Sequence, residues 1–596
     1  MSSVPERSEI AAEYRWDLDS IYATDENWED ALEAVRERIP ELERFEGRVT
    51  ESATTLLETF QTHESVMREV SQVATYANLR SAEDQRVAEY QSMSTRAQSL
   101  ATDARSAASY LDPELQELDE DAFAVFVEEE PALAEWTHVV DDARRTREHT
   151  RSAEVEAVLA DLSEVTGSAS EVYSMLTNAD MTFPTVEYPD GEAVEITQNN
   201  FTTLQKHPDR EFRERVHEAF YDRWGDVRNS VGTALQKSVT GDVKTARLRN
   251  YDTAREAALN GPNVPVEVYD ALLETVNDER GVLARHAELK RDLLGVDELR
   301  PWDLYASLTG EDPTVEYETA CNHVVEAVAP LGKAYQEQMR TGLSSRWVDV
   351  YENRGKRSGA FSSGTYDTQP FILMNYQDDV ASMYTLAHEL GHSMHSELAA
   401  NTQPWQYADY DIFVAEVAST VNETLLTHHL LETVDDEAFR RAVLDEYLER
   451  FRSTLYRQTM FADFELAIHE AVEEGGALTP DRLDEMYRER KTSFYGPMAA
   501  DELIKREWMR IPHFYYNYYV YQYATGISAA TAIVERVREE GEDAAADYRA
   551  ALELGGSEYP VDVLARAGVD VTTRDPVEAA VGVYDNLVGE MRSLAE

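Results

Sequence analysis

His388 and His392 stand four residues apart in the run His388-Glu389-Leu390-Gly391-His392, with a carboxylate between them. On a helix that spacing projects two imidazoles from one face, one turn apart, as two ligands must be to reach a single tetrahedral cation. Glu389 is then placed to reach a water beside that cation. The chemistry of such a set is hydrolysis: the cation polarises a carbonyl and acidifies the water, and the carboxylate takes the proton. Five residues can match this pattern by chance, so their surroundings decide. A catalytic zinc takes a third protein ligand and keeps one position open. The metzincin arrangement is excluded, because the third and sixth positions after His392 hold His395 and Leu398 where Gly and His are required. The third ligand is read as Glu416, in the helical segment DIFVAEVASTVNETLL. There it lies among Phe413, Val414, Ala415, Val417 and Ala418, where a charge needs a partner. Glu423 follows two turns further along the same face. His395 shares the face of His392 and is either a hydrogen-bonding support, a substrate contact or a satisfied core histidine. His428 and His429, ending the second helix, read as surface.

The elements that must hold these groups are mostly helices. Asp378 or Asp379 can cap the helix VASMYTLAHELGHSMHSELAA. The preceding residues 359–377, GAFSSGTYDTQPFILMNYQ, are rich in Gly, Ser and β-formers and should be loop and strand. Within them Gly359, Ser362, Ser363 and Gly364 make either a mobile loop or a plain connection. Towards the N-terminus Val66, Val70, Val73 and Ala77 recur at helical spacing, and Ala82 to Leu111 contains neither Gly nor Pro. The helical period breaks at Met181, where TFPTVEYPDGEAVEIT alternates around Pro189-Asp190-Gly191, a hairpin signal. The expectation is a mainly α protein, with a helical lobe and hairpin over 1–200 and a catalytic domain over 201–596.

Composition narrows the partners. The chain has 596 residues, 43% of them hydrophobic, enough for a large core. No apolar run approaches bilayer length, and MSSVPERSEI lacks the features of a secretory signal, so a cytoplasmic protein is expected. One cysteine, Cys321, excludes a disulfide framework and a cysteine-rich zinc site. A net charge of −60 repels nucleic acid and anionic membranes.

The runs HELGHSMHS at 388–396, FVAEVASTVNE at 413–423 and PFILMNY at 370–376 together resemble the oligoendopeptidase F family of thimet-oligopeptidase-like zinc peptidases. IPHFYYNYYVYQYATG, Ile511 to Gly526, is similar to that family's late tyrosine-rich segment, and YANLRSAEDQR at 76–86 resembles its helical start. The resemblance covers nearly the whole chain. It implies zinc on His388, His392 and Glu416, with Glu389 as the catalytic carboxylate. It implies two helical lobes around a deep channel for short peptides, and a strand at Pro370 to Asn375 that pairs with the substrate backbone. It also implies late transition-state donors, His513 with one or two tyrosines. Tyr516, Tyr519, Tyr521 and Tyr523 are not separated by the resemblance. On a helix Tyr516 and Tyr523 share a face with Tyr519 near it, which favours that set. The implied activity is zinc-dependent endopeptidase action on short oligopeptides. Two alternatives stand beside it: a carboxypeptidase or dipeptidase on a related scaffold, and a silent peptide-binding protein, against which the intact Glu389 speaks.

So acidic a chain with this much apolar periodicity fits a protein adapted to high salt, where counterions screen its self-repulsion. Its thermal midpoint by circular dichroism is therefore expected to fall from molar to millimolar salt, and an unchanged melt would overturn the idea.

Overall fold

A computed structural model describes residues 4–309, 313–496 and 501–595, and helices carry most of them, so the mainly α class holds. Among the described residues no helix is long and apolar enough to cross a membrane. The chain groups into two compact units. One comprises Met1–Thr150, Thr314–His429 and Val537–Ala567; the other comprises Arg151–Pro313, Leu430–Arg536 and Gly568–Glu596.

In the second unit, β1 (Thr185–Glu187) and β2 (Ala193–Glu195) form the expected hairpin, with Val186 opposite Val194 and Gly191 at φ 90° in the turn. In the first unit, helices α1 (Ala53–Glu83) and α2 (Ala88–Ala107) pack through Val66, Val70, Val73 and Ala77 against Met93, Ala97 and Leu100, as the apolar spacing requires. The absence of Gly and Pro does not carry one helix through Ala82 to Leu111. Asp84 turns extended, and its carboxylate accepts the Arg86 amide at 3.0 Å, so a side chain competes with the helical ladder there.

Three strands lie against that core: β3 (Val348–Asp349), β4 (Phe361–Ser363) and β5 (Phe371–Leu373), in the order β3-β5-β4. β5 runs parallel to β3 and antiparallel to β4 and is buried throughout, which explains its continuous apolar run. Phe371 and Leu373 join the core of α1 and α2, so the sheet anchors to the N-terminal helices. Both sides of β5 are occupied. The strand expected at Pro370 to Asn375 thus has no free edge, and the outer strands are β3 and β4.

Helix α3 (Val380–Thr402) follows the sheet. Asp379 caps it, accepting the Ser382 amide at 2.7 Å, while Asp378 takes a left-handed φ of 54° and does not cap. Helix α4 (Ile412–Thr433) crosses it at Gly391, where a Cβ would stand 2.5 Å from Ser419 Cα and 2.6 Å from the Ala418 carbonyl oxygen. Asn422 Nδ2 to the Ala387 carbonyl at 3.2 Å and Tyr384 Oη to Thr427 Oγ1 at 2.6 Å tie the pair on one side of the crossing, towards the start of α3 and the end of α4. Gly391→Ala must push two backbones apart. It is expected to cost about 1–3 kcal/mol, as overpacking does, and to weaken metal retention; an unchanged thermal midpoint with unchanged metal content would show slack between the helices.

Candidate active site

Helix α3 presents His388 and His392 one turn apart, their rings 4.8 Å between centroids and 84° to each other. Their Nε2 atoms are 3.2 Å apart, and Glu416 Oε2, from α4, lies 3.5 Å from His388 Nε2 and 3.8 Å from His392 Nε2. A tetrahedral zinc about 2.0–2.1 Å from each donor needs donor-to-donor edges of roughly 3.4 Å. The three groups therefore fit one divalent cation, and they are the metal-capable cluster found among the described residues.

Glu423, two turns beyond Glu416, reaches the other side of the same ring: its Oε1 lies 2.7 Å from His388 Nδ1. His388 Nδ1–H donates to Glu423, so that in the neutral ring the Nε2 lone pair faces the cluster. Burial works to depress His388, but the Glu423 bond and the charges of Glu423, Glu416 and Glu389 outweigh it and lift the imidazolium to about 8. His392 is held down to about 3 by burial and by His388, so it is neutral.

Glu389 is 6% exposed, and burial pushes its carboxyl up to about 7. His388 and a hydrogen bond from the Ser362 backbone pull the other way, while Glu416 and Glu423 add to the rise. Ser362 Oγ also meets Ser393 Oγ at 2.8 Å, binding strand β4 to α3 beside the carboxylate. A base with its acidity near neutrality is what proton transfer from water demands.

His395 is core rather than contact. It stacks on Tyr410 with 3.5 Å between centroids, and neither ring nitrogen has a protein partner. Tyr410 Oη in turn approaches Ser396 Oγ at 2.9 Å and donates to the His392 carbonyl at 3.3 Å, bracing that turn. His428 and His429 are half-buried, not surface: His429 Nε2 lies 3.4 Å from His323 Nδ1, and burial holds His428 down to about 4.

The late segment belongs to the second unit, and it is not one continuous helix. Pro512–Tyr515 is a 3-10 turn, Asn517 and Tyr518 are left-handed at φ 46° and 60°, and only from Tyr521 does the chain enter a helix, α6 (Tyr521–Glu540); helix α5 (Gln458–Glu473) lies earlier in the same unit. The favoured tyrosines nevertheless gather on His513, whose ring lies 5.6 Å from Tyr516, 6.0 Å from Tyr519 and 5.9 Å from Tyr523. Tyr521, 1% exposed, packs on Tyr269 at 5.1 Å and is separated from that set. Burial, with Arg457 adding, lowers His513, which is therefore neutral with one N–H to donate.

Sequence reasoning placed Ser362 only in a loop, whereas it lies in strand β4; it gave Tyr410 no role, and gave Glu423 no function although its position on the Glu416 face was visible.

Residues 203–583 match the model of peptidase family M3, and residues 114–183 match that of oligopeptidase F. Oligopeptidase PepF of Bacillus subtilis is 43% identical over 100% of this chain and 89% of its own length. Group B oligopeptidase PepB of Streptococcus agalactiae is 39% identical, covering 99% of this chain and 98% of that protein. The crystal structure of oligoendopeptidase-F from Enterococcus faecium matches with a TM-score of 0.75 at 33% identity, across 96% of this chain and 99% of that one.

Because His388 must be unprotonated to bind a cation, zinc uptake by the metal-free protein is expected to weaken about tenfold per pH unit below about 8 and to level off above it. Glu423→Gln removes the largest cause that raises His388, so the break moves to lower pH while affinity at high pH drops about 10–100-fold. An unshifted break in a zinc titration would detach Glu423 from the ligand.

Proposed function

The chain belongs to peptidase family M3, in its oligoendopeptidase F group of metallo-oligopeptidases, and from that premise we propose that it is a zinc-dependent endopeptidase cleaving internal bonds of short oligopeptides. The observation that carries this reading is the convergence of His388, His392 and Glu416 on one point with Glu389 buried beside them.

Two imidazoles and a carboxylate suit zinc and leave a position for water or substrate. Zinc on His388, His392 and Glu416 would polarise the scissile carbonyl and make water acidic near neutral pH. Glu389 accepts the proton of the attacking water and delivers it to the leaving amine; a cation nearby keeps its carboxylate ionised. His513 and the hydroxyls of Tyr516, Tyr519 and Tyr523 donate to the oxyanion as it develops. The outer strand β4 offers its edge to an extended peptide, so affinity comes from main-chain hydrogen bonds and tolerates varied side chains. The peptidase part is residues 201–596, a boundary supported by the family model's start at residue 203. The protein acts in the cytoplasm of a salt-adapted cell on peptides alone, with neither nucleic acid nor membrane as partner, as its charge of −60 supports.

A fluorogenic peptide blocked at both ends is expected to be cut, with activity lost to a chelator and regained with zinc. Cleavage restricted to free-ended peptides would move the chain to the carboxypeptidase or dipeptidase reading, and stoichiometric peptide binding without turnover to the silent one. Glu389→Gln is expected to lower turnover by about 10²–10⁴-fold with zinc still bound; wild-type turnover in that variant ends the mechanism. His513→Ala is expected to lower kcat about 10²–10³-fold with little change in KM, whereas a loss confined to KM reassigns it to substrate binding.

A further inference from the structure

The turn that carries Tyr516 and Tyr519 is held from below by a carboxylate. Glu465, on α5, is 0% exposed, and its Oε1 accepts the Tyr518 backbone N–H at 2.7 Å. Its Oε2 is buried with no hydrogen-bond partner. The amide it grips lies in the left-handed pair Asn517 at φ 46° and Tyr518 at φ 60°, a conformation that L side chains adopt singly and at a cost. The Tyr518 ring is clamped in the same place. It lies 4.6 Å from the His469 ring and 5.6 Å from that of Tyr269, and His469 Nε2 faces Asp242 Oδ2 at 3.4 Å. Tyr518 therefore points inward, and its neighbours are thrown the other way. Tyr516 is 51% exposed, and Tyr516 and Tyr519 stand 6.1 Å apart beside His513.

A buried carboxylate with one bare oxygen is expensive, and a neutral amide would accept the same N–H for less. Strained backbone of this kind persists only where its surroundings over-determine it. We propose that Glu465 is a positioning residue: by fixing the Tyr518 amide it holds the left-handed turn that presents Tyr516 and Tyr519 beside His513 as hydrogen-bond donors to the peptide being cleaved. The proposal rests on the reading of His513 and these tyrosines as transition-state donors.

Glu465→Met keeps the length of the side chain and removes the acceptor. Assayed on the doubly blocked peptide, it is expected to lower kcat about a hundredfold, as a misplacement near 1 Å does, with KM and zinc content unchanged. Glu465→Gln, which keeps an acceptor, is expected to recover kcat to within about threefold of wild type. Tyr519→Phe placed on Glu465→Met is expected to cost almost nothing further, because the two changes remove one interaction. Wild-type kcat in a folded Glu465→Met overturns the proposal, and so does a Glu465→Gln variant as slow as Glu465→Met. If Glu465→Met shows no cooperative melt, Glu465→Asp carries the test, since withdrawing the carboxylate by about 1.5 Å breaks the same bond; it is expected to be slow, and wild-type kcat overturns the proposal again. His513→Ala separates the two readings. A slow His513→Ala beside a fast Glu465→Met sinks only the positioning role, whereas a wild-type His513→Ala sinks the donor reading on which it rests.

Discussion

The approach of two backbones at Gly391 and Ser419 is the constraint from which the metal cluster follows. Gly391 is flanked on its own helix by His392, one residue on, and His388, three residues back. Ser419 is flanked on its helix by Glu416, three residues back, and Glu423, four residues on. The crossing point is thus central to all four side chains. Seven residues of helix separate Glu416 from Glu423 by about 10.5 Å along the axis, yet both reach His388, one at each ring nitrogen. A single imidazole can be spanned in this way only if the helices nearly touch beside it. A side chain at position 391 would take away the space on which that geometry depends.

The same closeness makes the electrostatics severe. Glu389, Glu416 and Glu423 crowd around His388, and in the metal-free protein the pKa of Glu389 is raised to about 7 and that of His388 to about 8. Burial leads the rise at Glu389 and the Glu423 hydrogen bond the rise at His388, and at both the neighbouring carboxylates add to it, so the site crowds negative charge that its surroundings disfavour. A divalent cation answers that imbalance, so metal binding contributes to the stability of the fold as well as to the chemistry. In a chain of net charge −60 this local demand sits on top of a global one, and screening by salt relieves only the global part.

How much was legible in the sequence follows from which groups sit on regular structure. His388, His392 and Glu416 lie on two uninterrupted helices, so period and apolar context were enough to place them on facing surfaces, and the hairpin was announced by Pro189-Asp190-Gly191. The crossing of the helices was not legible, because Gly391 in a helix reads only as a weak helix former until its neighbour is known. β5 was visible as a run of apolar residues, but its position between β3 and β4 was not, since pairing partners leave no mark on the strand itself. The second break in period, at Asp84, was hidden for a local reason: an Asp that bonds to the amide two residues on ends a helix without Gly or Pro.

The late segment marks the limit of periodic reasoning most clearly. Helical spacing from Tyr516 to Tyr523 selects Tyr516, Tyr519 and Tyr523 by face. The same three rings gather on His513, but by another route. Asn517 and Tyr518 reverse the chain, and Tyr518 and Tyr521 are driven into the core while the other three are turned outward. Metal ligands tolerate a regular helix because the cation itself corrects small errors in their aim. Hydrogen-bond donors to a charge that exists only in the transition state have no such partner in the resting protein, so their aim must be built into the backbone beforehand. In the mechanism proposed above, a strained turn gripped by a buried carboxylate does that, and the strain falls where no sequence period can report it.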